Sequence, residues 1–219
     1  MKNVKLKIND REIVAKEGEY LLKVCLDNGI YIPNLCYMKN IEPPRASCRM
    51  CFVEVVGIPY LVTSCTTKVY DGMIVKTDTE EIKKLQKWGL ELLLSTQENL
   101  DDIDENNELR KIADYLGVPL KLNHFEFIPR ETNIDFNTNS HPYIDYDYKK
   151  CILCGRCVET CKKLNKEYHI DFGKRGYNSV ITFFEKKEIS DSHCGACFAC
   201  VKVCPVGALK VKDKMKKEG

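Results

Sequence analysis

Twelve of the chain's 13 cysteines fall into three groups of four, each with the spacing of an iron–sulfur cluster site. One group is Cys36, Cys48, Cys51 and Cys65. The others are two runs with the same internal spacing: Cys151, Cys154, Cys157 and Cys161, then Cys194, Cys197, Cys200 and Cys204, 43 residues further on. Iron in a cluster is tetrahedral and prefers soft thiolate, so each cluster needs about four cysteine sulfurs aimed at one small volume. A Cys-x-x-Cys-x-x-Cys loop meets that need by curling the backbone around the inorganic core. Its amides then also point at sulfur and stabilise the more negative, reduced state. The small residues Gly155, Gly195 and Ala196 let the backbone come close. With these sites and no evident substrate pocket, the chain reads as a wire for single electrons.

Pro205 follows Cys204, as in the bacterial run whose fourth cysteine ligates the other cluster. One 4Fe-4S cluster is therefore expected on Cys151, Cys154, Cys157 and Cys204. The second is expected on Cys161, Cys194, Cys197 and Cys200. Zinc is the rival, because paired Cys-x-x-Cys motifs also build structural zinc sites. Each run here, however, packs four cysteines into eleven residues, which suits a cluster better than two zinc-type pairs. The N-terminal group is spaced Cys-x11-Cys-x2-Cys-x13-Cys and shares only its central pair with the plant-type 2Fe-2S pattern. On spacing alone, zinc stays open there.

The elements that must position these ligands fall into three segments. Residues 1–78 read as a small mixed domain. Val4–Ile8 alternates apolar and polar residues like a strand, Asn9-Asp10 is a turn, and Glu12–Ala15 is the return strand. Tyr20–Leu26 has helical periodicity and stops at Gly29. Cys51–Gly57 and Met73–Thr77 are further strands. A hairpin, a helix and later strands suggest a β-grasp ferredoxin-like domain. Residues 79–146 hold no cysteine and predict two helices. The first starts near Asp78 and Glu81, with Ile82, Leu85, Gly89, Leu92 and Leu93 on one face. The second carries Leu109, Ile112, Ala113 and Leu116 and closes at Gly117. The acidic stretch Glu98–Glu108 between them reads as an exposed, solvated loop. Residues 147–219 contain the repeated cysteine runs, the mark of a two-cluster ferredoxin module. The fold class expected is α+β.

Composition narrows the function. In 219 residues the net charge is +2, which lacks the basic excess of a nucleic-acid binder. The basic tail Lys210–Lys217 reads as a solvated, frayed terminus. No apolar run is long enough to span a membrane, and no signal segment opens the chain. A cytoplasmic location is expected, where thiols stay reduced and cysteines at motif spacing serve as metal ligands.

Several segments carry a family likeness. They are Ile32–Cys36, Ala46–Val55, Thr63–Thr66 and Asp71–Thr77 in the first segment, then Lys150–Cys157, Gly173–Tyr177 and Cys200–Leu209 in the last. Together they resemble the N-terminal region of the large iron–sulfur subunit of complex I. They are closer still to the accessory domains of multimeric iron-only hydrogenases and NAD-linked formate dehydrogenases. The resemblance implies a 2Fe-2S cluster on Cys36, Cys48, Cys51 and Cys65, and there it displaces zinc. It implies two departures as well. Most of the family carries a further 4Fe-4S cluster, held by one histidine and three cysteines just after a leucine-rich helix. Here Leu92-Leu93-Leu94-Ser95-Thr96 ends such a helix, but Gln97 stands at the histidine position and no cysteine lies between Cys65 and Cys151. Residues 79–146 are therefore expected to be a helical linker with a degenerate cluster site. The family also continues into a catalytic domain, and this chain is expected to leave catalysis to other chains.

The resemblance implies an electron-transfer subunit of a flavin-dependent, NAD(P)H-linked oxidoreductase, with electron bifurcation as an option. Expected partners are a subunit with FMN and an NAD(P) site, a thioredoxin-like 2Fe-2S subunit, and a separate catalytic subunit or ferredoxin. The alternative is a free-standing polyferredoxin carrier, against which the long cysteine-free middle segment argues. No nucleophile–base set, phosphate loop or dinucleotide fingerprint supports an enzyme in its own right.

Other residues have plainer readings. Cys25, on the apolar face of the first helix, is expected to be a buried structural thiol. His193 could tune the adjacent cluster or simply sit in a loop. His124, His141 and His169 lack ligand spacing. Trp88 is expected to pack rather than relay electrons. Arg45, Arg49 and Arg156 are candidates for holding clusters or docking partners, with solvation as the alternative.

Overall fold

The computed structural model describes residues 2–97, 107–121, 141–165, 169–183, 194 and 196–213. The chain divides into two compact units. One comprises residues 1–92 with 111–120, and the other residues 93–110 with 121–219.

In the first unit, β1 (Asn3–Ile8) and β2 (Arg11–Lys16) form an antiparallel hairpin with Leu6 opposite Ile13. Val4, Leu6 and Ile8 point into the core while Lys5 and Lys7 face out, as period-two alternation dictates. Asn9 takes a left-handed φ of 53° at the turn, a conformation asparagine tolerates. Its side-chain amide donates to Thr77 Oγ1 at 2.9 Å and its Oδ1 accepts from the Thr77 amide at 3.0 Å. These bonds fix the turn against a distant strand end.

Helix α1 (Leu21–Asp27) buries Leu21, Leu22, Val24 and Cys25. It ends in a Schellman motif: Ile30 N–H donates to Cys25 O, Gly29 N–H donates to Leu26 O, and Gly29 has φ +71°. The remaining strands are β3 (Phe52–Val55), β4 (Val62–Thr63) and β5 (Ile74–Lys76). The sheet order is β2-β1-β5-β3-β4, with β1 and β5 parallel and the other pairs antiparallel. Its core gathers Ile8, Leu21, Leu22, Ile32, Val53, Val55 and Val75.

Helix α2 spans Glu80–Leu94 and α3 spans Glu108–Leu116. Thr79 starts α2, its Oγ1 accepting from the Ile82 amide at 3.4 Å, so the cap is one residue later than Asp78. The inward face of α2 also differs from expectation. Ile82, Gln86, Leu90 and Leu94 are buried, whereas Leu92 is 61% exposed. The face follows a four-residue stride, and apolarity alone did not identify Gln86 as inward. In α3, Leu109, Ile112, Ala113 and Leu116 are buried and Gly117 closes the helix with φ +63°, as expected. Most of the acidic stretch lies outside the described residues.

In the second unit, β6 (Ile144–Tyr146) pairs antiparallel with β9 (Leu209–Val211), and β7 (Ile170–Gly173) with β8 (Val180–Phe183). The β6/β9 pair therefore flanks both cysteine runs. Lys210 and Val211 belong to β9 and are not a frayed terminus. Helices α4 (Arg156–Asn165) and α5 (Ala199–Lys202) each follow a cysteine loop. Among the described residues no helix is long and apolar enough to cross a membrane.

Candidate metal centres

The first group assembles from three loops. Cys36 follows the extended segment after α1, Cys48 and Cys51 flank the entrance to β3, and Cys65 follows β4. Cys36, Cys51 and Cys65 are buried and Cys48 is half-buried. The loop is bent by two left-handed residues, Ala46 (φ 54°) and Arg49 (φ 55°). Such bends turn amides inward, and Leu35 N–H donates to Cys48 Sγ at 3.4 Å. Met50 is fully buried beneath α2, where a Cβ on Gly89 would stand 3.4 Å from its sulfur. Gly89 thus lets the helix settle on the ligand loop.

The thiols interact in two pairs. A hydrogen bond from Cys48 is the main cause that draws Cys36 down to about 5; burial opposes it, while the Cys48 and Ser47 amides and the Ser47 hydroxyl assist. The same bond, followed by burial, pushes Cys48 up. Cys51 is drawn down chiefly by its bond with Cys65, and Cys65 is pushed up by that bond and by burial. Cys65 also feels the charges of Cys36 and Cys48, so the two pairs share one electrostatic neighbourhood. Ionising all four sulfurs requires a compensating cation, which is what a cluster's iron supplies.

The described residues of the two runs share two left-handed positions. Leu153 and Gly155 are left-handed at φ 54° and 76°, and their counterparts Ala196 and Phe198 are left-handed at 48° and 52°. Leu153 N–H donates to Cys151 Sγ at 3.4 Å, and the amides of Arg156 and Val201 bond to Cys154 and Cys200. Gly195 lies outside the described residues.

Electrostatic contact shows which of these thiols lie near one another. Cys154 senses Cys151 and Cys204, and Cys157 senses Cys151, Cys154 and Cys204 more strongly than Cys200. Cys200 senses Cys161, Cys194 and Cys197. A recess of about 330 Å³, open mouth included, is lined by Cys151, Cys154, Cys157 and Cys204. Tyr146 and Ile181 also line it, and the Ile181 amide donates to the Tyr146 hydroxyl at 3.2 Å. Burial pushes Cys154 and Cys200 up to about 12 and raises Cys157. Burial disfavours a bare thiolate at these positions, and a positively charged group would offset that penalty. Soft donors, an apolar recess and inward amides all fit an iron–sulfur cluster. Among the described residues no three His, Cys, Asp or Glu side chains close around a single ion.

The sequence reading named Arg156 as a candidate but not its partner. Arg156, between Cys154 and Cys157, is buried, and its guanidinium grips Glu108 with two bonds of 2.6 and 2.8 Å. Its Nε is buried with no hydrogen-bond partner. Glu108 lies 48 positions away at the end of the acidic stretch, so only the arginine's position inside the motif could have flagged it.

The other candidates separate clearly. Cys25 is fully buried, and burial pushes its thiol up to about 12, which suits an inert core group. Arg45 and Arg49 are exposed. Trp88 is not core packing: it is 54% exposed, with the Lys84 ammonium over its ring at 4.9 Å. His141 is buried and His169 half-buried, while His124 and His193 lie outside the described residues. Gln97 is buried beside Thr96, whose Oγ1 accepts from its Nε2 at 3.4 Å.

Residues 1–80 match the family described as 2Fe-2S iron–sulfur cluster binding domain. Residues 141–210 match the NADH-quinone oxidoreductase subunit 3 ferredoxin-like domain. The chain carries both domains. Its likeness extends over both: it is 31% identical over 207 residues to an NADH-quinone oxidoreductase subunit of Rhizobium meliloti (strain 1021), covering 94% of this chain and 24% of that protein. It is 31% identical over 222 residues to the NADP-reducing hydrogenase subunit HndD of Solidesulfovibrio fructosivorans, covering 95% and 36%. The chain thus spans about a quarter to a third of these relatives' length (24% and 36%). Among solved structures, a chain of an NAD+-reducing NiFe-hydrogenase in the H2-reduced state matches with a TM-score of 0.82 at 27% identity, covering 96% of this chain and 88% of that one. The 2Fe-2S domain holds the first cysteine group and the ferredoxin-like domain holds both runs. The family read from the motifs is the one these matches identify.

Proposed function

We propose that this chain is the iron–sulfur electron-transfer subunit of a flavin-dependent, NAD(P)-linked oxidoreductase. A β-grasp domain, residues 1–78, would bind one 2Fe-2S cluster through Cys36, Cys48, Cys51 and Cys65. Residues 147–219 would bind two 4Fe-4S clusters, one on Cys151, Cys154, Cys157 and Cys204, the other on Cys161, Cys194, Cys197 and Cys200. Residues 79–146 would form a helical linker that has lost a further cluster site. When bound, each cluster takes up and releases single electrons. The chain's own residues bury the sulfurs of Cys36, Cys51, Cys65, Cys151, Cys154, Cys157 and Cys161 and aim amides at several of the cysteine sulfurs, Cys48 and Cys151 among them.

The observation that supports this reading most is the recess in which Cys204, from the second run, lines the same space as Cys151, Cys154 and Cys157 from the first. That crossing suits two adjoining 4Fe-4S clusters and has no use in a pair of independent zinc loops. The relatives described above act on NADH, quinone, hydrogen or NADP by their names. An FMN and NAD(P) flavoprotein, a thioredoxin-like 2Fe-2S subunit and a separate catalytic subunit or ferredoxin are the partners proposed here.

Anaerobic purification tests the reading. About ten irons per chain are expected, with a matching amount of sulfide and three paramagnetic signals on dithionite reduction. A flavoprotein should co-purify. A coloured chain that elutes alone near 25.2 kDa would instead mark a diffusible carrier. Colourless protein holding only zinc would overturn the proposal.

A further inference from the structure

We propose that Arg156, clamped by Glu108, raises the reduction potential of the cluster on Cys151, Cys154, Cys157 and Cys204 above that of the cluster on Cys161, Cys194, Cys197 and Cys200. The inference rests on the reading that these eight cysteines hold two 4Fe-4S clusters.

Arg156 sits between two ligands of the first set and opens α4. Its side chain is only 10% exposed, and a guanidinium keeps its proton even when buried. A fixed positive charge therefore stands beside the cluster-binding loop, and the Arg156 amide already donates to the sulfur of Cys154. Glu108 takes up both terminal nitrogens, at 2.6 and 2.8 Å, which fixes the plane of the group. The Nε–H is left buried and without an acceptor.

The second run has no counterpart. The position 43 residues after Arg156 is Ala199, although the two runs share two left-handed positions. Among the described residues a buried cation thus stands within the first run only, while Lys162, Lys163 and Lys202, beside cysteines of the second set, are exposed and screened by water. Reduction adds one negative charge to a cluster, and a nearby cation stabilises that state. Glu108 offsets part of the effect. Its side chain is 39% exposed, so water screens its charge more than that of Arg156. Arg156 is a positioning and tuning residue and ligates nothing.

The test is a mediated potentiometric titration of the anaerobic full-length chain, followed by electron paramagnetic resonance. Dithionite is the electron donor, each cluster takes up one electron, and no protein bond forms or breaks. Cys197→Ser, at the exposed ligand of the other cluster, assigns the two 4Fe-4S signals. In wild type the signal that Cys197→Ser leaves unaltered should have the higher potential. Arg156→Leu should move that signal to more negative potential and Glu108→Gln to more positive potential. Arg156→Lys should move it negative by less than Arg156→Leu. A tenfold change in the reduction equilibrium reads as about 59 mV for one electron. The other two signals should stay in place.

Opposite shifts at one cluster are a signature that loosened packing does not produce. The proposal is overturned if Glu108→Gln and Arg156→Lys, carrying wild-type iron and sulfide, titrate at wild-type potentials. It is also overturned if all signals shift together, or if the affected cluster has the lower potential. Should Arg156→Leu fail to fold, those two variants decide alone. Wild type that yields no 4Fe-4S signals would overturn the underlying reading, a result distinct from loaded clusters with unmoved potentials.

Discussion

Gly155 and Phe198 occupy the same place in the two cysteine runs, 43 residues apart, and both adopt a left-handed backbone, φ 76° and 52°. Glycine meets that geometry without a steric penalty, whereas phenylalanine carries a Cβ that crowds its own carbonyl. The surrounding loop holds Phe198 in place against this strain. Phe198→Gly and Phe198→Ala both remove the ring and differ by a single Cβ, so their difference reports the backbone. The glycine variant should be the more stable by about 1 kcal/mol. Thermal unfolding under anaerobic conditions, with iron content measured on both, checks this. Equal midpoints would contradict it.

Cys25 and Cys51 are both buried in the first unit but do different work. Both line the sheet–helix core, but Cys51 also shares a hydrogen bond with Cys65, another member of the first cysteine group. Cys25→Ala should keep wild-type iron and lose about 1 kcal/mol from the missing buried sulfur. Cys51→Ala should lose about two irons and the 2Fe-2S signal. Iron loss in Cys25→Ala would show that the thirteenth cysteine is not merely structural.

Much of this architecture is legible in the residues themselves. The hairpin of β1 and β2 follows from strict alternation around Asn9, and α1 from its spacing and Gly29. The expected cysteine sets rest on Pro205 and the two spaced runs, and Cys204 lines one recess with Cys151, Cys154 and Cys157. Other features depend on tertiary partners and leave no local mark. The two residues of β4 are too few to show alternation and are strand only because β3 lies beside them. The Glu108–Arg156 clamp joins positions 48 residues apart. Trp88 carries a large apolar ring yet faces outward, since helical position and not residue type decides which side meets the core.

The buried face of α2 yields a direct comparison. Leu90 is fully buried and Leu92 is 61% exposed, though the two look alike in sequence. Leu90→Ala should lose about 2–5 kcal/mol through lost burial and a residual cavity. Leu92→Ala should stay within about 0.5 kcal/mol of wild type. Denaturant midpoints of the two variants distinguish this face from the one expected on apolarity, for which Leu92→Ala would be the damaging change.

His141 should give the fold an acid-sensitive component. It is 4% exposed, packs against Phe183 and Tyr143 at ring-centroid distances of 5.1 and 5.8 Å, and accepts the Tyr143 amide at Nδ1. Burial, reinforced by the charges of Lys212 and His169, draws its pKa from 6.5 to about 4. The folded state therefore binds fewer protons than the unfolded chain between those values. Its stabilising contribution is complete above pH ~6.5 and is lost as pH falls toward ~4. The loss amounts to at most about 3 kcal/mol. His141→Asn retains an acceptor for the Tyr143 amide but cannot titrate. Between pH 6.5 and 4 the wild-type unfolding midpoint should fall more steeply than that of the variant, with cluster content matched at each pH. Parallel curves would mean that protonation of His141 does not couple to folding.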